Sequence, residues 1–166
     1  MPLTSIIIAT TAVAQILCDD CERECFEIQS RQAEVCTLTQ THARSDSVFF
    51  TVKTKDSDVY ALTRALQLEW QTYCGLHIAE NDAYVSVCLG AEGHAEYHIY
   101  PTDYLFSFDY YKLAGGFGDD NLIDIISLSE DGVVTYEAQY YQVPAGLDCQ
   151  PNEMCVVTKF LDLDFK

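Results

Sequence analysis

Basic residues are scarce in this chain: nine Lys and Arg stand against 26 Asp and Glu, for a formal net charge of −17. Binding to DNA or RNA depends on cations that displace counterions from phosphates, so this balance argues against a nucleic-acid surface and against docking on an anionic membrane. Long apolar runs are also missing. No segment reaches the ~20 residues a membrane helix needs, and no membrane insertion is expected. The chain has no G-x-S-x-G, P-loop, dinucleotide fingerprint or H-E-x-x-H pattern, and no N-x-S/T sequon. It holds no internal repeat, low-complexity tract or Pro/Ser-rich linker. No reaction is legible, and no cofactor is called for.

Cysteine is abundant. Eight are present, Cys18, Cys21, Cys25, Cys36, Cys74, Cys88, Cys149 and Cys155, and the first four fall within "CDDCERECFEIQSRQAEVC". Residues 1–14 have the shape of a signal peptide, with the apolar run Ile6–Ala9 and the small-residue triplet Ala12-Val13-Ala14. The competing reading of this stretch is a buried strand, since it is rich in β-branched residues. Cleavage before Gln15 leaves 152 residues, enough for one domain, 15–166, with its own core. An even cysteine count behind an export signal points to disulfides. Zinc prefers paired C-x2-C knuckles, and only Cys18/Cys21 forms one. Cys149 and Cys155 bracket a turn-like loop suited to closing on itself, and the overall connectivity stays open.

The pattern predicts an α+β fold. "DSDVYALTRALQLEWQTYCG" reads as a helix over about 57–74, with Val59, Leu62, Leu66, Trp70 and Tyr73 forming one apolar stripe and Trp70 in the core. A second helix is expected over Cys18–Gln32, where Cys18, Cys21 and Cys25 share a face and each sulfur reaches a different segment. Six or seven strands, mostly antiparallel, complete the fold: Ser47–Thr54, 83–90, 94–101, 104–113, 122–128, 133–143 and the C-terminal alternation, with turns at Ala91–Gly93 and Ser129–Gly132.

For function, the segment Gly115, Gly116, Phe117, Gly118, Asp119, Asp120, Asn121 reads as a mobile exposed turn with Phe117 at its tip, and is the candidate recognition loop. Asp119, Asp120, Asn121 and Asp124 also offer oxygens of the kind calcium takes, without a calcium-loop spacing. The four histidines, His42, His77, His94 and His98, read as surface or turn residues. Eleven tyrosines supply recognition material, and the pairs Tyr110-Tyr111 and Tyr140-Tyr141 must send one ring to each sheet face.

A short leader ending Ala12-Val13-Ala14, eight cysteines and no enzyme motif together resemble a small secreted effector of a plant-pathogenic fungus. The helix "ALTRALQLEWQTYC" beside an antiparallel sheet is similar in format to the disulfide-bonded avirulence proteins of Leptosphaeria and relatives. The resemblance implies a non-enzymatic, extracellular virulence factor that binds a host protein or immune receptor, with possible translocation into host cells. It assigns no individual residue. The alternatives are a secreted ribonuclease-like hydrolase and a secreted inhibitor or allergen-like β protein.

Overall fold

The computed structural model describes residues 7–9, 20–43, 45–91, 94–108 and 112–163. Among the described residues twelve strands run in chain order: β1 (Ile7–Ala9), β2 (Glu22–Ile28), β3 (Ala33–His42), β4 (Ser45–Thr54), β5 (Val59–Glu69), β6 (Thr72–Ile78), β7 (Tyr84–Ala91), β8 (His94–Pro101), β9 (Gly115–Gly118), β10 (Leu122–Leu128), β11 (Val133–Gln139) and β12 (Met154–Phe160). The helical segments among the described residues are two short 3-10 turns, Gln29–Arg31 and Thr102–Leu105. The expected α+β class is therefore overturned. The protein is a nearly all-β chain of three antiparallel sheets.

The two predicted helices fail for different reasons. Residues 59–69 form β5, and its pairing with β4 sets Phe50 opposite Arg64 but Thr51 opposite Leu62. Thr63 is thus an extra residue, a β-bulge that flips the alternation of everything before it. Leu62 and Leu66 then sit four apart on opposite faces, and a strand with one phase slip imitates a helical stripe. Trp70 lies at the junction after β5 with φ 62° and is 69% exposed, so it is not a core residue. In the N-terminal stretch, Glu22–Ile28 is a strand and Cys25 faces Cys36 directly across the β2–β3 pair. The proposed helical clamp is replaced by a local cross-strand bridge.

The chain divides into two compact units, residues 1–73 with 102–110, and residues 74–101 with 111–166. In the first, one sheet has the order β1-β5-β4-β3-β2. Ile7–Ala9, inside the stretch read as a leader, pairs with Val59–Ala61. The cleavage site at Ala14 lies outside the described residues. Ile28, Val35, Val48, Phe50 and Leu68 are buried there, and Tyr104 meets the Phe50 ring edge-on at 6.3 Å. Thr63 Oγ donates to the Leu105 carbonyl at 2.6 Å, and Arg64 donates to the carbonyls of Tyr104 and Ser107 at 2.9 and 2.8 Å. These bonds from the bulge and its neighbour fasten the 102–107 segment to the sheet. That segment was read as the start of a strand; it is a 3-10 turn instead.

The second unit holds two sheets, β6-β7-β8-β9 and β10-β11-β12, which share one core that includes Cys88, Tyr97, Ile99, Ile125, Leu128, Val134, Tyr136, Val157 and Leu163. Sequence alternation explains it well: Val134, Tyr136 and Ala138 face inward on β11, and Cys155 and Val157 on β12. The turn expected at Ser129–Gly132 is present. Gly132 has φ +80° and its N–H donates to the Ser129 carbonyl at 3.1 Å. A Cβ at Gly132 would lie 2.6 Å from the Leu161 carbonyl oxygen. Gly132→Ala is therefore expected to cost roughly 2 kcal/mol, through the left-handed backbone and this clash. Urea denaturation checks it, and a change under about 0.5 kcal/mol, the size of an ordinary surface substitution, contradicts it.

Candidate functional site

Three disulfides are described: Cys25–Cys36, Cys74–Cys88 and Cys149–Cys155. Cys21 is also oxidised, and Cys18 lies outside the described residues. Cys149–Cys155 is the self-closing loop the spacing suggested. Cys74 staples β6 to β7 rather than ending a helix. The group of three potential metal ligands found among the described residues, Cys25, Glu34 and Cys36, contains two sulfurs already bonded to each other. Arg23 rests on this bridge, with Nε 3.2 Å from Cys25 Sγ and Nη2 3.3 Å from Cys36 Sγ, and its guanidinium lies 5.0 Å above the Tyr60 ring. Tyr60 donates to Glu34. A nearby open cleft of about 470 Å³ is lined by Glu27, Glu34, Lys53 and Lys55 among others, so its charges are mixed.

The segment Gly115–Asn121 is more ordered than a mobile turn. Gly115–Gly118 is β9, paired with β8 so that Phe117 faces Tyr97. The Phe117 ring stacks on Tyr97 at 5.0 Å and lies 5.8 Å from Tyr136. Phe117 is thus packed against the core and is not a protruding tip. Asp119, Asp120 and Asn121 make the turn into β10, closed by a bond from the Leu122 N–H to the Asp119 carbonyl at 3.0 Å.

Asp119 is the centre of the site. Its side chain is 10% exposed. Oδ2 accepts from Tyr136 at 2.8 Å and Tyr140 at 2.5 Å, and Oδ1 accepts from the Asn121 N–H at 3.0 Å. Lys159 Nζ stands 3.7 Å from Oδ2 and 5.4 Å above the Tyr136 ring. Burial alone raises the carboxyl pKa; the bonds from Tyr140, the Asn121 backbone and Tyr136 outweigh it and hold Asp119 below the usual carboxylate range. Burial pushes both phenols up, and the neighbouring carboxylate adds to the rise. A carboxylate so occupied is a weak base. Its chemistry is to fix the turn.

Asp120 points the other way, to the surface, where Oδ1 is 2.7 Å from His94 Nδ1. Asp124 lies on β10 opposite Glu137. The acidic residues of 119–124 are thus dispersed. His98 meets Glu96 at 3.3 Å. His77 on β6 is half-buried with Nε2 unpartnered, and burial lowers its pKa against the pull of Asp124 and Glu80. Tyr140 is in the core and Tyr141 is exposed, but both lie just past the end of β11 and not on a sheet; Tyr110 and Tyr111 lie outside the described residues. The Asp119 node was missed by the sequence reading. Tyr136 and Tyr140 share a parity and a need for hydroxyl partners, which was the available signal.

Comparison of the chain with protein-family models, curated proteins and solved structures finds no match.

Proposed function

We propose that this chain is a secreted, disulfide-stabilised β protein that acts by binding another protein. The observation that carries the reading is the set of large apolar side chains held at the surface by bridged sheets, Val156, Phe160 and Tyr141 among them. Exposed aromatic and aliphatic side chains of this kind are suited to recognition, because they offer large apolar area and have few rotatable bonds to immobilise. The disulfides support an oxidising compartment and, with the absence of any helix long and apolar enough to cross a membrane among the described residues, fit export. The format shared with small secreted fungal effectors supports a host protein or immune receptor as the partner. The helix-bearing part of that resemblance does not carry over to an all-β chain.

Tagged, oxidised protein incubated with plant extract is expected to retain a stoichiometric partner that resists high dilution. Robust RNA cleavage by the purified protein, abolished by His77→Ala or His94→Ala, would replace this reading with the hydrolase alternative.

A further inference from the structure

Edge strands expose unpaired backbone groups, and folded proteins blunt them with charge, brevity, glycine or bulges. Among the described residues the edges follow that rule in five cases. β6 is interrupted by Gly75, whose φ is +138°. β1 has three residues. β2 carries Glu22, Arg23, Glu24 and Glu27. β9 has four residues, three of them glycine. β10 has two register shifts. β12 breaks it. This strand closes the β10-β11-β12 sheet and pairs with β11 over seven residues, Met154 through Phe160, without a register shift. Its one charged residue, Lys159, leans towards Asp119. The outward side chains are Met154, Val156, Thr158 and Phe160, with Met154 49%, Val156 61% and Phe160 80% exposed.

The charge around that stripe specifies its occupant. Glu153 and Asp162, both exposed, stand just before and just after it, and Glu137 lies opposite Val156 on the same sheet face, with Asp124 beyond. The second unit carries fourteen acidic and three basic residues, a net of −11. A second copy would bring the same carboxylates against themselves. We propose that β12 is a docking edge for an extended polypeptide segment with an apolar centre flanked by Lys or Arg, which adds as a strand beside Met154–Phe160. Backbone bonds along the edge hold the segment, its alternate apolar side chains cover Val156 and Phe160, and its cations meet Glu153 and Asp162. This deepens the protein-binding reading above and rests on it.

The test uses the full oxidised chain and a nine-residue peptide of alternating valine and threonine with lysine at each end, measured by calorimetry and by amide hydrogen exchange. Binding is expected, with new protection confined to β12, and the counterpart ending in glutamate is expected to bind at least tenfold more weakly. Val156→Lys should lose at least about tenfold, or 1.4 kcal/mol, while Ile123→Lys on the opposite edge strand leaves binding unchanged. Both positions are exposed, and thermal melts confirm that each variant folds. No binding, equal binding of the two peptides, an unaffected Val156→Lys, or concentration-dependent dimerisation through β12 overturns the proposal. If plant extract still yields a partner that Val156→Lys retains, the edge assignment fails and the binding function survives.

Discussion

Replacing Asp119 with alanine is expected to destabilise the protein by roughly 3–5 kcal/mol, because each buried donor stripped of its acceptor costs about 1–3 kcal/mol. Four donors lose their acceptor at once: the Tyr136 hydroxyl, the Tyr140 hydroxyl, the Asn121 N–H and, more weakly at 3.4 Å, the Asn121 side-chain amide. Tyr136 is fully buried and Tyr140 nearly so, in a core they share with Phe117 and Val134. Asp119→Asn keeps one oxygen for the two tyrosines but turns its amide nitrogen towards the Asn121 N–H, which can only donate, so an intermediate loss is expected. Urea titration measures both. A double-mutant cycle with Tyr136→Phe should show coupling of about 0.5–3 kcal/mol. A loss below about 1 kcal/mol for Asp119→Ala, the low end for a single stranded donor, would mean that the network does not hold the turn.

The same carboxylate sets an acid limb. Its folded pKa is lowered, so its contribution is complete above the unfolded aspartate value of about 3.9 and is lost as pH falls through the folded value. Wild-type stability should therefore fall more steeply than that of Asp119→Asn on acidification below that point, and the gap between them should close. A binding loss in Asp119→Ala reports a loosened turn. Asp120→Ala, whose side chain is exposed, tests contact by residues 115–121 without that cost.

The strands that were legible are those with unbroken alternation and a turn signal beside them. Val133–Gln139 repeats apolar residues at every second place behind Gly132, and β7 and β8 are rich in β-branched and aromatic residues. β5 was not legible, because Ala, Leu, Arg and Gln favour helix locally and the Thr63 bulge removed the alternation that would have opposed them. Its strand state is imposed by β4 on one side and β1 on the other. The 115–121 segment shows a second limit. Three glycines and two aspartates look like a solvated turn, but the destination of Asp119 is decided by tyrosines 17 and 21 residues later. The bridges fall between these cases. The 149–155 loop is local enough to read, whereas Cys25 with Cys36 requires knowing the β2–β3 register.

Reduction is expected to unfold the protein at ambient temperature. Each disulfide restricts the unfolded chain by roughly 2–4 kcal/mol, and removing three is comparable with the whole stability of about 5–15 kcal/mol of a folded domain. The three described bridges close separations of 11, 14 and 6 residues, so none of the three is long enough to dominate and their effect is distributed. Each one also joins an outer sulfur to an inner one. Cys25 and Cys74 are exposed and Cys149 is half-buried, while Cys36, Cys88 and Cys155 are buried. In each of the three described pairs a reductant can therefore approach from the more exposed cysteine, and the partner is left as a buried thiol in a sheet that has lost its tether. A phosphine reductant should abolish the cooperative thermal transition expected of the oxidised protein, and a variant that replaces one pair by alanines should lose only part of the stability that full reduction removes. Thiol titration of the native protein should find almost no free sulfhydryl. Mostly reduced cysteines, or an unchanged melting temperature after full reduction, would separate this fold from its bridges and remove the physical basis for placing it outside the cell.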